Sequence, residues 1–90
     1  MKRNLEKRRE LFDAIGRGEL SVAQAAKALR RTTGKTQREY AALIGISPRI
    51  LMQIEQGRGN PTLKSITKVI APFGLDLSLR RLHAGERATR

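Results

Sequence analysis

The side chains with the most specific chemistry to offer lie between Gln37 and Arg58. Arg49, Met52, Gln53 and Gln56 recur at i, i+3, i+4 and i+7, so one face of a helix would carry them all. Leu51 and Ile54 fall on the opposite face. A guanidinium so presented can donate two parallel hydrogen bonds to guanine O6 and N7, and a carboxamide can pair with adenine N6 and N7. The Met52 side chain suits a thymine methyl, and Pro48 sits beside this group at the start of the helix, so the base-facing set is Arg49, Gln53, Met52 and Pro48. Lys35, Arg38 and Arg58 flank it and match phosphate oxygens. Residues for covalent or metal chemistry are missing: there is no Cys and one His, His83, which reads as a tail residue without a role. The sequence shows no paired carboxylates and no nucleophile–base pair, and Gly57-Arg58-Gly59 reads as a helix stop instead of a phosphate loop. The expectation is no enzyme and no cofactor.

Charge points the same way. The 90 residues hold 19 Lys and Arg against 8 Asp and Glu, a net charge of +11. Such an excess calls for a polyanionic partner or costs stability through self-repulsion. It is uneven: residues 1–35 carry ten basic and four acidic groups, residues 36–74 five and two, and residues 75–90 four and two. The cluster Lys2, Arg3, Lys7, Arg8 and Arg9 reads as a solvated helix end that adds phosphate attraction. The chain length suits one small domain, and 39% apolar residues in periodic order suffice for a modest core. Met1-Lys2-Arg3 is followed by six charged residues between Asn4 and Asp13, so no signal-peptide core follows, and no apolar run approaches the ~20 residues of a membrane span. A cytoplasmic protein with no membrane partner is expected.

Positioning those side chains requires a set of short helices. Leu5, Leu11, Phe12 and Ile15 predict a helix over 4–16, closed by Gly16 and Gly18. Ser21 with Gln24, and Thr36 with Glu39, form capping boxes. Val22, Ala25, Ala26 and Leu29 share a face in the second helix, which ends at Gly34. Tyr40, Ala41, Leu43 and Ile44 follow in the third, which Gly45 stops. Ser47-Pro48 opens a fourth helix with Ile50, Leu51 and Ile54 inward, and Gly57 closes it. Asn60-Pro61 predicts the start of a fifth helix with Leu63, Ile66, Val69, Ile70 and Phe73 on one stripe, ending at Gly74. Glu55 is expected to form an internal salt bridge or cap with Arg38 or Lys35, and Tyr40 to lie in the core.

The segment from Gln37 to Gln56 meets the demands of a helix-turn-helix: small Ala41 at the close approach, Gly45 in the turn, and Ile46, Leu51 and Ile54 locking against Tyr40 and Ile44. Thr36-Gln37-x-x-Tyr40-Ala41-x-x-Ile44-Gly45-Ile46-Ser47, then Leu51-x-x-Ile54-Glu55-x-Gly57, resembles the Cro/CI-type (lambda-repressor-like) helix-turn-helix family over residues 23–74. The resemblance implies a compact all-α domain that binds operator DNA as a dimer. It implies that Gln37 and Ser47 meet the DNA backbone and that early exposed residues of the second helix of the motif read bases. Met52 departs from the small polar residue frequent in the family. Pro48 departs too, and removes a backbone donor from the helix start.

After Gly74 the period changes to two. Leu75, Leu77 and Leu79 alternate with Asp76, Ser78 and Arg80, a strand pattern. One strand needs a partner, and the same strand of a second copy is the simplest. This end resembles the HipB-like antitoxins, which implies an autorepressor with a HipA-like kinase toxin as partner. The expected organisation is a basic helix over 1–20, the helix-turn-helix domain over 21–74, a dimerisation strand over 75–82 and a flexible tail over 83–90. The expected function is a homodimeric repressor acting on palindromic operator DNA, in antitoxin form. The alternatives are a stand-alone phage-type or metabolic regulator, and a general RNA-binding protein, which three aromatics serve poorly.

Overall fold

Four of the helix starts are set by one hydroxyl each. Ser21 Oγ accepts from the Gln24 amide at 3.1 Å, Thr36 Oγ1 from Glu39 at 3.1 Å, Ser47 Oγ from Ile50 at 3.1 Å and Thr62 Oγ1 from Ser65 at 3.0 Å. In the first two, Gln24 and Glu39 accept in return from the cap amide at 2.9 Å, so both capping boxes form. Each cap is worth about 1 kcal/mol. The computed structural model describes residues 2–82 and Gly85. It contains α1 (Lys2–Gly16), α2 (Val22–Thr32), α3 (Gln37–Ile44), α4 (Pro48–Gln56) and α5 (Leu63–Ile70), then a one-turn 3-10 helix, Ala71–Phe73.

The core forms where α2, α3, α4 and α5 meet. Ala26 and Leu29 of α2, Tyr40 and Ala41 of α3, Leu51 and Ile54 of α4, and Val69 and Ile70 of α5 are buried together. A fully buried leucine such as Leu51 contributes roughly 1.5–3 kcal/mol. Tyr40 lies in the core as expected, with its hydroxyl donating to the Val69 carbonyl at 2.7 Å and its ring 6.3 Å from that of Phe73. Burial pushes the Tyr40 phenol pKa up. Leu11, Phe12 and Ile15 pack α1 onto this core, whereas Leu5 stays exposed.

Besides α1 starting at Lys2 instead of residue 4, the structure departs from the sequence reading at three points. First, α5 is capped by Thr62, one residue after Pro61, and not by Asn60. The Thr62 hydroxyl reaches the Ser65 amide, and Pro61 sits before the cap instead of at the first helical position. Second, the α-helix stops at Ile70 instead of running to Phe73. Pro72 has no N–H to donate to the carbonyl four residues back, so the chain tightens into the 3-10 turn, closed by Gly74 donating to Ala71 at 2.9 Å. Third, no strand forms among the described residues, and 75–82 carries no ladder. A strand needs a partner, and the single chain supplies none. The alternation survives in part: Leu75 and Leu77 are half-buried against the core, Asp76 and Ser78 are exposed, and Leu79 is 98% exposed. The fold class is all-α. Apart from Gly85, the expected tail over 83–90, with His83, lies outside the described residues.

Candidate functional site

The turn between α3 and α4 creates the site. Gly45 takes φ +77° and donates its N–H to the Ala41 carbonyl at 2.9 Å, and Ile46 donates to the same oxygen at 3.0 Å. That left-handed residue reverses the chain without a gap in hydrogen bonding. Ser47 then caps α4, and Pro48 occupies its first turn. Ala41 has no exposed surface, as a close approach of two helices demands.

On the outer side of α4, Pro48, Arg49 and Gln56 are exposed, and Met52 is half-buried. Arg49 is thus presented as expected, at the second position of the helix. Gln53 is more constrained than its spacing suggests. A Cβ on Gly59 would lie 2.8 Å from its Cδ and Oε1, so the carboxamide is laid against the 57–60 turn. There it lines a cavity of about 360 Å³ with Val22, Asn60, Pro61 and Ile66. Arg58 turns back to α4, its Nε donating to Gln56 Oε1 at 3.0 Å and its Nη2 to the same oxygen. Lys35 and Arg38 are exposed beside the start of α3.

Beneath this face lies a charged network. Arg30 donates from Nε to Glu55 Oε2 at 2.7 Å and from Nη2 to Oε1 at 3.0 Å, a two-pronged pair. Gln37 Nε2 donates to the same Oε1 at 3.1 Å, and Arg30 Nη1 donates to the Lys35 carbonyl at 2.8 Å. The Glu55 side chain is 1% exposed and that of Arg30 12%. The Glu55 carboxylate raises the Arg30 pKa, chiefly through its hydrogen bonds. One carboxylate thereby ties α2, the first residue of α3, α4 and the loop between α2 and α3.

The partner of Glu55 is therefore Arg30, in place of Arg38 or Lys35. Lys35 joins through its backbone carbonyl, and its side chain stays exposed. The signal for Arg30 was present in the sequence: Ala26, Leu29 and Arg30 stand at i, i+3 and i+4, which sets a cation beside the apolar stripe that meets α4. Gln37, expected at the DNA backbone, is half-buried and already bonded to Glu55, which fixes its orientation. Ser47 is exposed at the α4 start with its hydroxyl engaged as a cap. Among the described residues no group of three or more His, Asp or Glu side chains could hold a metal ion, and no helix is long and apolar enough to cross a membrane.

Comparison with known proteins places this arrangement. A family model described as helix-turn-helix matches residues 27–79, from within α2 to beyond the 3-10 turn, and leaves α1 outside. A protein of Haemophilus influenzae described as an uncharacterized HTH-type transcriptional regulator is 34% identical over 50 residues, 56% of this chain and 51% of that protein. The chain thus spans about half the length of that relative. No solved structure matches.

Proposed function

The chain belongs to the Cro/CI-type helix-turn-helix family, and we propose that it is a sequence-specific, double-stranded DNA-binding transcriptional repressor acting as a homodimer. The observation that carries this reading is the α4 face. Arg49 is exposed one residue after Pro48, on a helix whose angle is held by the Gly45 turn and the Arg30–Glu55–Gln37 network. A rigid scaffold under a short exposed reading face is what major-groove recognition requires. Arg49 is the primary base reader, with Met52 at its side and Gln53 released from the 57–60 turn on binding. Gln37, Ser47, Lys35, Arg38 and Arg58 hold phosphates. The relative's description as a transcriptional regulator supports the same reading. Binding alone is the activity, and the protein acts in the cytoplasm, where its DNA target lies.

The dimer rests on Leu75, Leu77 and Leu79. Leu79 is 98% exposed in one chain, and the alternation of this segment suits pairing with its copy about a two-fold axis. The narrower reading is an antitoxin that represses its own operon and binds a HipA-like kinase toxin. It rests on the likeness of residues 74–80 to that branch, and an adjacent kinase-like reading frame is its first test. Selection of bound duplexes from a random pool tests the main proposal. A palindrome with half-sites about 34 Å apart is expected. Recovery of no preferred sequence overturns it.

A further inference from the structure

We propose that the groove between α1 and α2 is a second DNA-binding surface, a track for the phosphates of duplex flanking the half-site that α4 reads. The inference rests on the DNA-binding reading above and extends it to a surface outside the helix-turn-helix. The groove is open, about 1090 Å³, with Lys7 and Arg8 on the α1 wall and Lys27 and Arg31 on the α2 wall. Lys27 and Arg31 stand at i and i+4, on one stripe of α2. Among the described residues no acidic one lines it: Glu6, Glu10 and Asp13 of α1 lie elsewhere. All four cations are exposed or border the groove, and none takes part in an ion pair among the described residues, where the acceptors go to Arg17 and Arg30 instead.

The occupant follows from sign and position. Two facing walls that carry cations of one sign, uncompensated among the described residues, favour a continuous polyanion. The groove ends at Thr33 and Gly34, and the next residues are Lys35 and Thr36, the cap of α3. It therefore opens at the start of α3, the end of the molecule at which Lys35, Gln37 and Arg38 would face the DNA. A duplex seated on α4 that continued past that end would bring its backbone to the Arg31 end of the groove. Such interactions carry no sequence information, so they lengthen the footprint and raise affinity for any flank. They also account for why residues 1–35 hold ten of the 19 basic groups while the reading helix holds one, Arg49.

The test uses the full chain, the variant Lys7→Gln/Arg8→Gln/Lys27→Gln/Arg31→Gln, and the smaller Lys27→Gln/Arg31→Gln, with circular dichroism to verify folding. Affinity is measured against salt on the selected site alone and on the same site with a helical turn of random flank at each end. On the flanked duplex the slope of log K against log salt should fall by about 0.9 for each phosphate that a variant no longer neutralises, roughly 2–4 per protomer and so about 4–7 for the dimer with the fourfold variant, and half that for the double. On the bare site wild type and variants should converge, and the ratio of selected to scrambled site should stay unchanged. Equal slopes for wild type and both variants on the flanked duplex overturn the inference. So does a glutamate-rich amphipathic peptide that binds wild type and not the variant while the DNA slopes stay equal, which would assign the groove to a protein partner. If wild type itself binds no duplex, the DNA-binding proposal fails first. The two failures are therefore distinguishable.

Discussion

Arg49 and Glu55 divide the proposed site into an exposed part and a buried part that holds it. Arg49 is exposed and makes no internal bond among the described residues, so Arg49→Ala should leave the melting temperature unchanged. It should weaken operator binding by about 1–3 kcal/mol and relax the preference at one base pair, read by competition among single-base operator variants. Undiminished selectivity would remove Arg49 from the reading face. Glu55 behaves in the opposite way. Glu55→Ala leaves Arg30 without its carboxylate and Gln37 without its acceptor, and should lower unfolding stability by about 3 kcal/mol, as removing one partner of a buried pair does. Arg30→Met with Glu55→Leu should recover most of that stability in a urea melt while still binding DNA less well, because Gln37 is no longer oriented. Arg49 was legible from spacing, since an exposed face follows from knowing which residues are buried. The identity of the Glu55 partner was not, because it depends on how α2 lies across α4, 25 residues away in sequence.

At the scale of the elements, short-range chemistry set most boundaries. Both capping boxes and the Ser47-Pro48 start form as their sequence patterns imply, because the bonds join residues three apart. The start of α5 shows the limit of that reading. Asn60-Pro61 predicts the start, but the Thr62 hydroxyl is the one that reaches the Ser65 amide, and it caps the helix. The turn at Gly45 offers the cleanest check. A Cβ there would meet nothing within 4 Å, so Gly45→Ala should cost only the left-handed backbone strain, about 1–2 kcal/mol in a urea melt, with Gly45→Asn costing less. A decrease well beyond that would mean that the turn packs more tightly than its open surroundings show.

Over the whole molecule, the reading helices and the charge are largely separate. Residues 36–74 carry five basic and two acidic groups, while the larger excess lies on α1, α2 and their connection. The segment after Gly74 leaves Leu79 bare. Sedimentation of the wild-type chain at micromolar concentration should give a dimer, and Leu79→Asp, at the bare position, a folded monomer that binds operator DNA more weakly. A wild-type monomer would remove the two-fold operator geometry. By itself the sequence determined the starts of α2, α3 and α4, the apolar faces, the left-handed turn and the basic excess, because each depends on residue type and spacings of a few positions. The tertiary structure alone decided that Arg30 holds Glu55, that Gln53 lies against Gly59, and that Lys7 and Arg8 face Lys27 and Arg31 across a groove. Those pairings depend on how separate segments lie against one another, and their geometry exists only once the helices have packed.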